Sequence, residues 1–260
     1  MPQLKARKYK SLRTIAALVL REMGATYGKS PGGYFWAVAE PVAAIAVLSI
    51  AFQLVFRSPS LGTNFPLFFA TGFLPFTLAN DIGIKASRTI QVSKQLLFYP
   101  PVTIFDAIVA RILLSLVTNL TISIIVLVAL HIIFDLHSLL QVDAIGLSLA
   151  MALSLGAGIG ILNCYLMNAF ALWEQVWGIV TRPLFLASGV IFLFDTLPDT
   201  VHDILWFNPF VHVIGVMRVG FYSTYDAAYA SPVYVFAVSW CAIALGLLLL
   251  KRHARKLIHG

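Results

Sequence analysis

Leu20–Pro41 reads LREMGATYGKSPGGYFWAVAEP, and it divides the chain into a basic arm and a membrane domain. On a helical wheel Leu12, Ile15, Ala16, Val19, Leu20, Met23 and Tyr27 share one arc, with Lys10, Arg13, Arg21 and Gly24 opposite. That is the pattern of an amphipathic helix lying in a membrane interface, its cations near anionic headgroups. Ser30-Pro31-Gly32-Gly33 stops it, because proline lacks the amide donor and the glycines favour other conformations. Tyr34-Phe35-Trp36 then open an apolar helix with aromatics suited to the headgroup boundary, and Glu40-Pro41 sit one turn inside it.

Gly28-Lys29-Ser30 imitates the end of a phosphate-binding loop, GxxxxGK[ST]. The pattern requires glycine at position 23, where this chain has Met23, and a buried strand before with a helix directly after. The chain is therefore expected to have no ATP site of its own.

Sixty per cent apolar residues, 11% charged residues and a mean hydropathy of +0.88 exclude an ordinary soluble domain. No small-residue cleavage site follows a short apolar core, so the basic arm does not read as a cleavable signal peptide. Cys164 and Cys241 fall inside apolar runs, which argues against a disulfide framework. The Asn119-Leu120-Thr121 sequon lies mid-span and carries no meaning for glycosylation.

Six apolar stretches reach the ~20 residues that a bilayer requires. They fall near 36–56, 66–84, 104–133, 143–166, 175–194 and 232–250. The expected architecture is an all-α polytopic membrane protein: a basic arm and interfacial helix over 1–33, a transmembrane domain over 34–250, and a tail over 251–260. Lys5, Arg7, Lys8, Lys10, Arg13, Arg21 and Lys29 precede the first span, Lys85, Arg88 and Lys94 follow the second, and Lys251, Arg252, Arg255 and Lys256 end the chain. The other side offers only Arg57 and Arg218, against Asp135, Asp143, Asp195, Asp199, Asp203 and Asp226. The positive-inside rule then makes both termini cytoplasmic, and the net charge of +7 needs no nucleic-acid partner.

Lys85–Thr103, KASRTIQVSKQLLFYPPVT, is the longest polar interruption. Ile90, Lys94, Leu97 and Phe98 have helical spacing, and Pro100-Pro101 end that helix. It either rests on lipid or docks a cytoplasmic partner. Asp106 and Arg111, at the entry of span three, read as a mutually neutralising pair rather than a proton relay. Gly156, Gly158 and Gly160 in span four lack the spacing and the strand of a dinucleotide fingerprint, and predict close helix contact. Ile204–Met217 is broken at Asn208-Pro209, so each half is too short to cross. The pair, 201–221, should dip in from the outside and return, shielded by protein or facing water.

The histidines show no i, i+4 pair, so no metal site is expected. An intramembrane serine protease would need glycine two residues before its nucleophile, but Ser188 is preceded by Leu186-Ala187. Phe65, Phe69, Phe73 and Phe76 fall within an arc of about 80°. They serve either as lipid and helix contacts or as a sliding surface for a sugar polymer, with Trp36, Trp177 and Trp206 as further candidates. Arg182, followed by Pro183, lies about two turns inside span five, where a cation costs about 2.5–3.5 kcal/mol. It either pairs with Asp81 or Asp106, the favoured reading, or lines an anionic substrate's path.

Four separated motifs resemble one family, the capsular-polysaccharide export permeases of the ABC-2 transporter class: LRE…YGK…GYFWA…EP, QLLFYPPVTIFDAIVAR, TRPLFLASGVIF and LWFNPFVHV. The chain departs from the family pattern at Gly24, Thr26 and Pro31, where arginine is common. The resemblance implies a homodimer that moves lipid-linked, acidic polysaccharide, with O-antigen or teichoic-acid export as the neighbouring alternative. A small-molecule exporter or a membrane enzyme is the alternative of another class. It implies two copies of a cytoplasmic ATPase holding ATP and Mg, no cofactor in this chain, and periplasmic and outer-membrane export partners at a bacterial inner membrane. The ATPase-coupling surface is then Arg21, Glu22 and Lys29, together with Arg88, Gln91, Lys94, Gln95, Phe98 and Tyr99. The substrate path takes Trp36, Glu40, Arg182, Asn208 and the aromatic candidates above.

Overall fold

The structure, a computed structural model, describes residues 10–27, 32–97, 102–134 and 140–259. Its elements are α-helical apart from a single 3-10 turn at Phe194–Thr196. The interfacial helix is α1, Lys10–Tyr27, followed by α2, Gly33–Gln53, and α3, Phe65–Ser87. A short helix, α4, Thr89–Leu97, leads to α5, Ile104–Ile133, and α6, Val142–Ala169. Then come α7, Trp173–Leu186, the pair α8, Asp199–Leu205, and α9, Pro209–Phe221, and finally α10, Pro232–His259.

Among the described residues five helices are long and apolar enough to cross a membrane: α2, α3, α5, α6 and α10 over Pro232–His253. The sixth expected span, 175–194, is helical only to Leu186, and its fourteen residues extend about 21 Å. Pro183 weakens the hydrogen-bond ladder behind it, and Gly189 takes a φ of +87° that side chains resist. From Ala187 to Leu193 the backbone runs on without helix, with Val190 and Leu193 buried.

The core is organised on α6. A Cβ at Gly156 would stand 2.5 Å from the carbonyl oxygen of Ala79, one at Gly160 2.6 Å from Ala86 Cβ, and one at Gly158 2.8 Å from the carbonyl oxygen of Ser239. Two of these glycines thus admit the α3 backbone and the third admits α10, as small residues do between membrane helices. Met151, Ala152 and Leu155 of α6 share a buried cluster with Leu78, Ala79 and Ile82 of α3 and Val213 and Ile214 of α9.

The bent pair is unequal. Its axes differ by 102°, but α8 has seven residues and no buried side chain, whereas α9 is buried from Phe210 through Arg218. α9 runs back beside α6, where Ser148 Oγ donates to the Val213 carbonyl oxygen at 2.7 Å and Gln141 N–H to that of Gly220 at 2.9 Å.

The basic end of the bundle is closed by Ala86, Ile90, Ile108, Ile161, Cys164 and Leu250, drawn from α3, α4, α5, α6 and α10. The arm side of the chain and the last helix therefore meet at one end, which is what the charge pattern requires.

Candidate functional site: a polar cleft at the basic end

α2, α3 and α5 enclose a cleft of about 590 Å³, whose lining reaches Thr26 of α1 and Gly33 of α2. Its walls carry Trp36 and Glu40 from α2, Phe73, Thr77, Asn80, Asp81 and Lys85 from α3, and Thr118, Asn119 and Ser123 from α5. Polar side chains at this depth are expensive in lipid, so they face one another across the opening. Asp81 is held from two sides. Its Oδ2 accepts from Lys85 Nζ at 2.8 Å, one turn along α3, and from Asn119 Nδ2 at 2.8 Å across on α5. Asn119 also donates to the Ser115 carbonyl oxygen at 2.9 Å, which fixes its amide. An apolar wall of Phe73, Leu74, Ile84 and Ile122 completes the surface.

This is a pocket of hydroxyl, amide and carboxylate groups beside exposed aromatic rings. Such groups exchange hydrogen bonds with sugar hydroxyls, and ring faces attract sugar C–H groups without fixing register. Trp36, Glu40 and Phe73 of the expected path meet here. Phe65, Phe69 and Phe76 do not, because they are packed inside the bundle. Their stripe faces protein, the helix-contact reading. Trp177 is half-buried on α7.

The interfacial helix is latched over this end. Ser11 Oγ donates to Asp106 Oδ1. Arg111 Nη2 donates to Glu22 Oε1 at 2.5 Å, and its Nη1 to the Lys85 carbonyl oxygen at 3.2 Å, closing the C-terminus of α3. The expected Asp106–Arg111 pair is absent. Asp106 instead forms a capping box with Thr103, whose Oγ1 accepts from Asp106 N–H at 3.1 Å, and this starts α5. Glu22, Ile15, Leu18 and Val19 turn toward protein, while Leu12, Leu20 and Met23 stay exposed. The wheel's apolar arc is thus shared between bundle and lipid, because Glu22 is drawn inward by Arg111.

On α4, Ile90 and Ser93 are buried, whereas Gln91, Lys94 and Gln95 are exposed. Arg88, between α3 and α4, is bound to Glu174 at the start of α7 at 2.9 Å. A displacement of α4 therefore reaches α3 directly and α7 through that ion pair. Arg21 is exposed, and Lys29, Phe98 and Tyr99 lie outside the described residues.

At the opposite end stands Arg218, expected only as a charge of the outer side within the 201–221 pair and given no structural role there. It is 1% exposed, donates to the carbonyl oxygens of Phe192 at 2.9 Å and Val190 at 3.2 Å, and lies 4.2 Å over the Phe68 ring. The non-helical stretch after α7 thus has its backbone satisfied at depth, as the hydrocarbon region demands. The available signal was a lone arginine inside the apolar run of the bent pair. Asn208 is equally structural: it caps α9 by accepting from Phe210 N–H at 3.1 Å and donates to the Ala187 carbonyl oxygen at 2.9 Å. Trp206 donates from Nε1 to the Tyr229 carbonyl oxygen at 3.2 Å. His212, fully buried, bridges the Trp206 carbonyl oxygen at 2.8 Å and the Ser231 N–H at 3.2 Å.

The favoured pairing of Arg182 with Asp81 or Asp106 is not formed. Asp81 and Asp106 are engaged as above, and Arg182 stands exposed on α7 with no ion pair among the described residues. Glycine and proline shorten α7, and that leaves it at the side of the bundle.

Comparison with known proteins bears on this arrangement. A family model described as ABC-2 type transporter matches residues 13–222. The polysialic acid transport protein KpsM of Escherichia coli is 26% identical over 236 residues, covering 91% of this chain and 92% of that protein. The capsule polysaccharide export inner-membrane protein CtrC of Neisseria meningitidis serogroup B is 25% identical over 247 residues, covering 94% and 92%. The capsule polysaccharide export inner-membrane protein BexB of Haemophilus influenzae is 25% identical over 248 residues, covering 94% and 92%.

Proposed function

The chain belongs to the ABC-2 type transporter family, and on that premise we propose that it is the membrane subunit of an ATP-driven exporter of lipid-linked, acidic capsular polysaccharide. The observation that carries the reading is the cleft: a wall of hydroxyl, amide and carboxylate groups among helices of membrane-crossing length, large enough to take sugar units. Relatives over nearly the whole chain are named for polysialic acid transport or capsule polysaccharide export, which supports the substrate class.

In this reading the basic end faces the cytoplasm, with both termini there, in a bacterial inner membrane. Two copies of the chain form the path, and two copies of a separate ATPase bind ATP and Mg²⁺. The ATPase grips the exposed face of α4 around Gln91, Lys94 and Gln95, beside Arg21 of α1. Its closure moves α4, and Arg88–Glu174 and Arg111–Lys85 carry that movement to α7 and to the cleft wall. Asp81, Asn80 and Asn119 meet sugar hydroxyls weakly, and Trp36 and Phe73 offer ring faces, so a polymer can slide without stalling. Export proteins of the periplasm and outer membrane receive it.

The test is transport by the chain reconstituted in vesicles with its ATPase and a radiolabelled, lipid-linked acidic glycan. ATP-dependent accumulation of glycan is expected. Lys94→Glu should reduce co-purification of the ATPase and transport together, since Lys94 makes no ion pair among the described residues. Transport of defined small molecules with none of the glycan would overturn the proposal.

A further inference from the structure

Most charges inside the spans are satisfied within this chain. Asp81 is bound by Lys85 and Asn119, Arg111 by Glu22, Asp106 by its capping box, and Arg218 by backbone carbonyls. Glu40 and Arg182 differ. Both are exposed, and among the described residues neither makes an ion pair or a side-chain hydrogen bond. An unpaired charge at such depth calls for a partner, a water-filled path or an escape to the interface.

Their positions match. Glu40 lies seven residues into α2 and Arg182 nine into α7, and both helices start at the basic end. At about 1.5 Å per residue they stand roughly 10 and 14 Å along their helices from that end, a difference that an arginine side chain spans.

Both helices that carry them are thinly covered. α7 has no buried residue, and α2 buries only Ile45 and Ser49. On α2 the positions Trp36, Glu40, Ala43, Val47 and Ile50 follow helical spacing and are all exposed. On α7 Gln175, Ile179, Arg182 and Leu186 do the same, and Gly178 beside them has open space where a Cβ would stand. Each helix thus offers an apolar ridge with one charge at matching height and a small residue that permits close approach.

We infer that the occupant of both faces is a second copy of this chain, seated so that Arg182 of the partner subunit pairs with Glu40. In a two-fold assembly α2 meets the partner's α7 and α7 meets the partner's α2, so one contact is made twice. The guanidinium fork matches a carboxylate bidentately, which sets the register of the two helices. Glu40 also lines the cleft, so the partner's Arg182 adds its cation to that lining. The inference rests on the homodimer reading above and adds to it the specific interface.

The test uses the full chain with Cys164 and Cys241 replaced by alanine. One tagged copy carries Glu40→Cys and a differently tagged copy carries Arg182→Cys, co-expressed and treated in native membranes with a short thiol cross-linker. A linked product bearing both tags is expected, and none when either cysteine copy is paired with a cysteine-free one. In export, Glu40→Arg and Arg182→Glu alone should each lower the rate by about tenfold, and the charge-swapped double variant should recover most of it. A dimeric mass in detergent with no two-tag product and no recovery by the swap overturns this interface and leaves the homodimer standing. A monomeric mass overturns both.

Discussion

Arg218 donates from Nη1 to the carbonyl oxygen of Phe192 at 2.9 Å, joining residues 26 positions apart. With the second bond to Val190 and the Phe68 ring beneath, one side chain fastens three separate segments. A non-helical stretch survives beside α3 because its carbonyls have this donor.

Arg218→Met should therefore destabilise the protein by about 2–4 kcal/mol, since two buried carbonyls lose their donor. Arg218→Lys should recover only part, because an ammonium lacks the planar fork that reaches both oxygens. Thermal unfolding of the purified protein in detergent measures this. An unchanged transition for Arg218→Met would show that the stretch is held otherwise.

The Glu22–Arg111 pair should be strongly coupled. Glu22→Ala or Arg111→Met alone is expected to cost about 3 kcal/mol, as a largely buried charge is left unpaired. The double variant should cost clearly less than the sum, which a double-mutant cycle reads directly. Additive losses would mean that α1 is held by its apolar contacts alone.

Gly156→Val should abolish well-folded protein, because even its Cβ would stand 2.5 Å from the Ala79 carbonyl oxygen, an approach the α3 backbone must yield to. Gly24→Ala should be tolerated, since nothing lies within 4 Å of the added carbon. Yield of monodisperse, membrane-extracted protein distinguishes the two. Equal yields would contradict the close α3–α6 contact.

The orientation is testable with single cysteines after Cys164 and Cys241 are replaced. Thr200→Cys, exposed at α8, should react with an impermeant thiol reagent added to intact cells. Gln91→Cys, exposed on α4, should react only once the membrane is breached. The reverse order would place the basic end outside.

The sequence by itself determined the membrane class, the end on which the cations gather, and the role of the span-four glycines. These follow from hydropathy, charge and residue size, which act locally and survive being read along a line. It located the break at Asn208-Pro209 for the same reason, since proline and a capping asparagine act on their own backbone. Only the tertiary structure decided which charges are partners. Asp106 and Arg111 are five positions apart and look paired, yet Asp106 serves its own helix start and Arg111 reaches across to α1. The phenylalanine stripe of α3 reads equally well as a path or a packing face, and burial among its neighbours decides for packing at Phe65, Phe69 and Phe76. Arg218 reads along the line only as a charge of the outer side, because the carbonyls that need it lie on another segment, brought to it only when α9 folds back beside α6. Pairing is a property of distance in space, and a polytopic membrane sequence leaves more possible partners than its local chemistry can choose among.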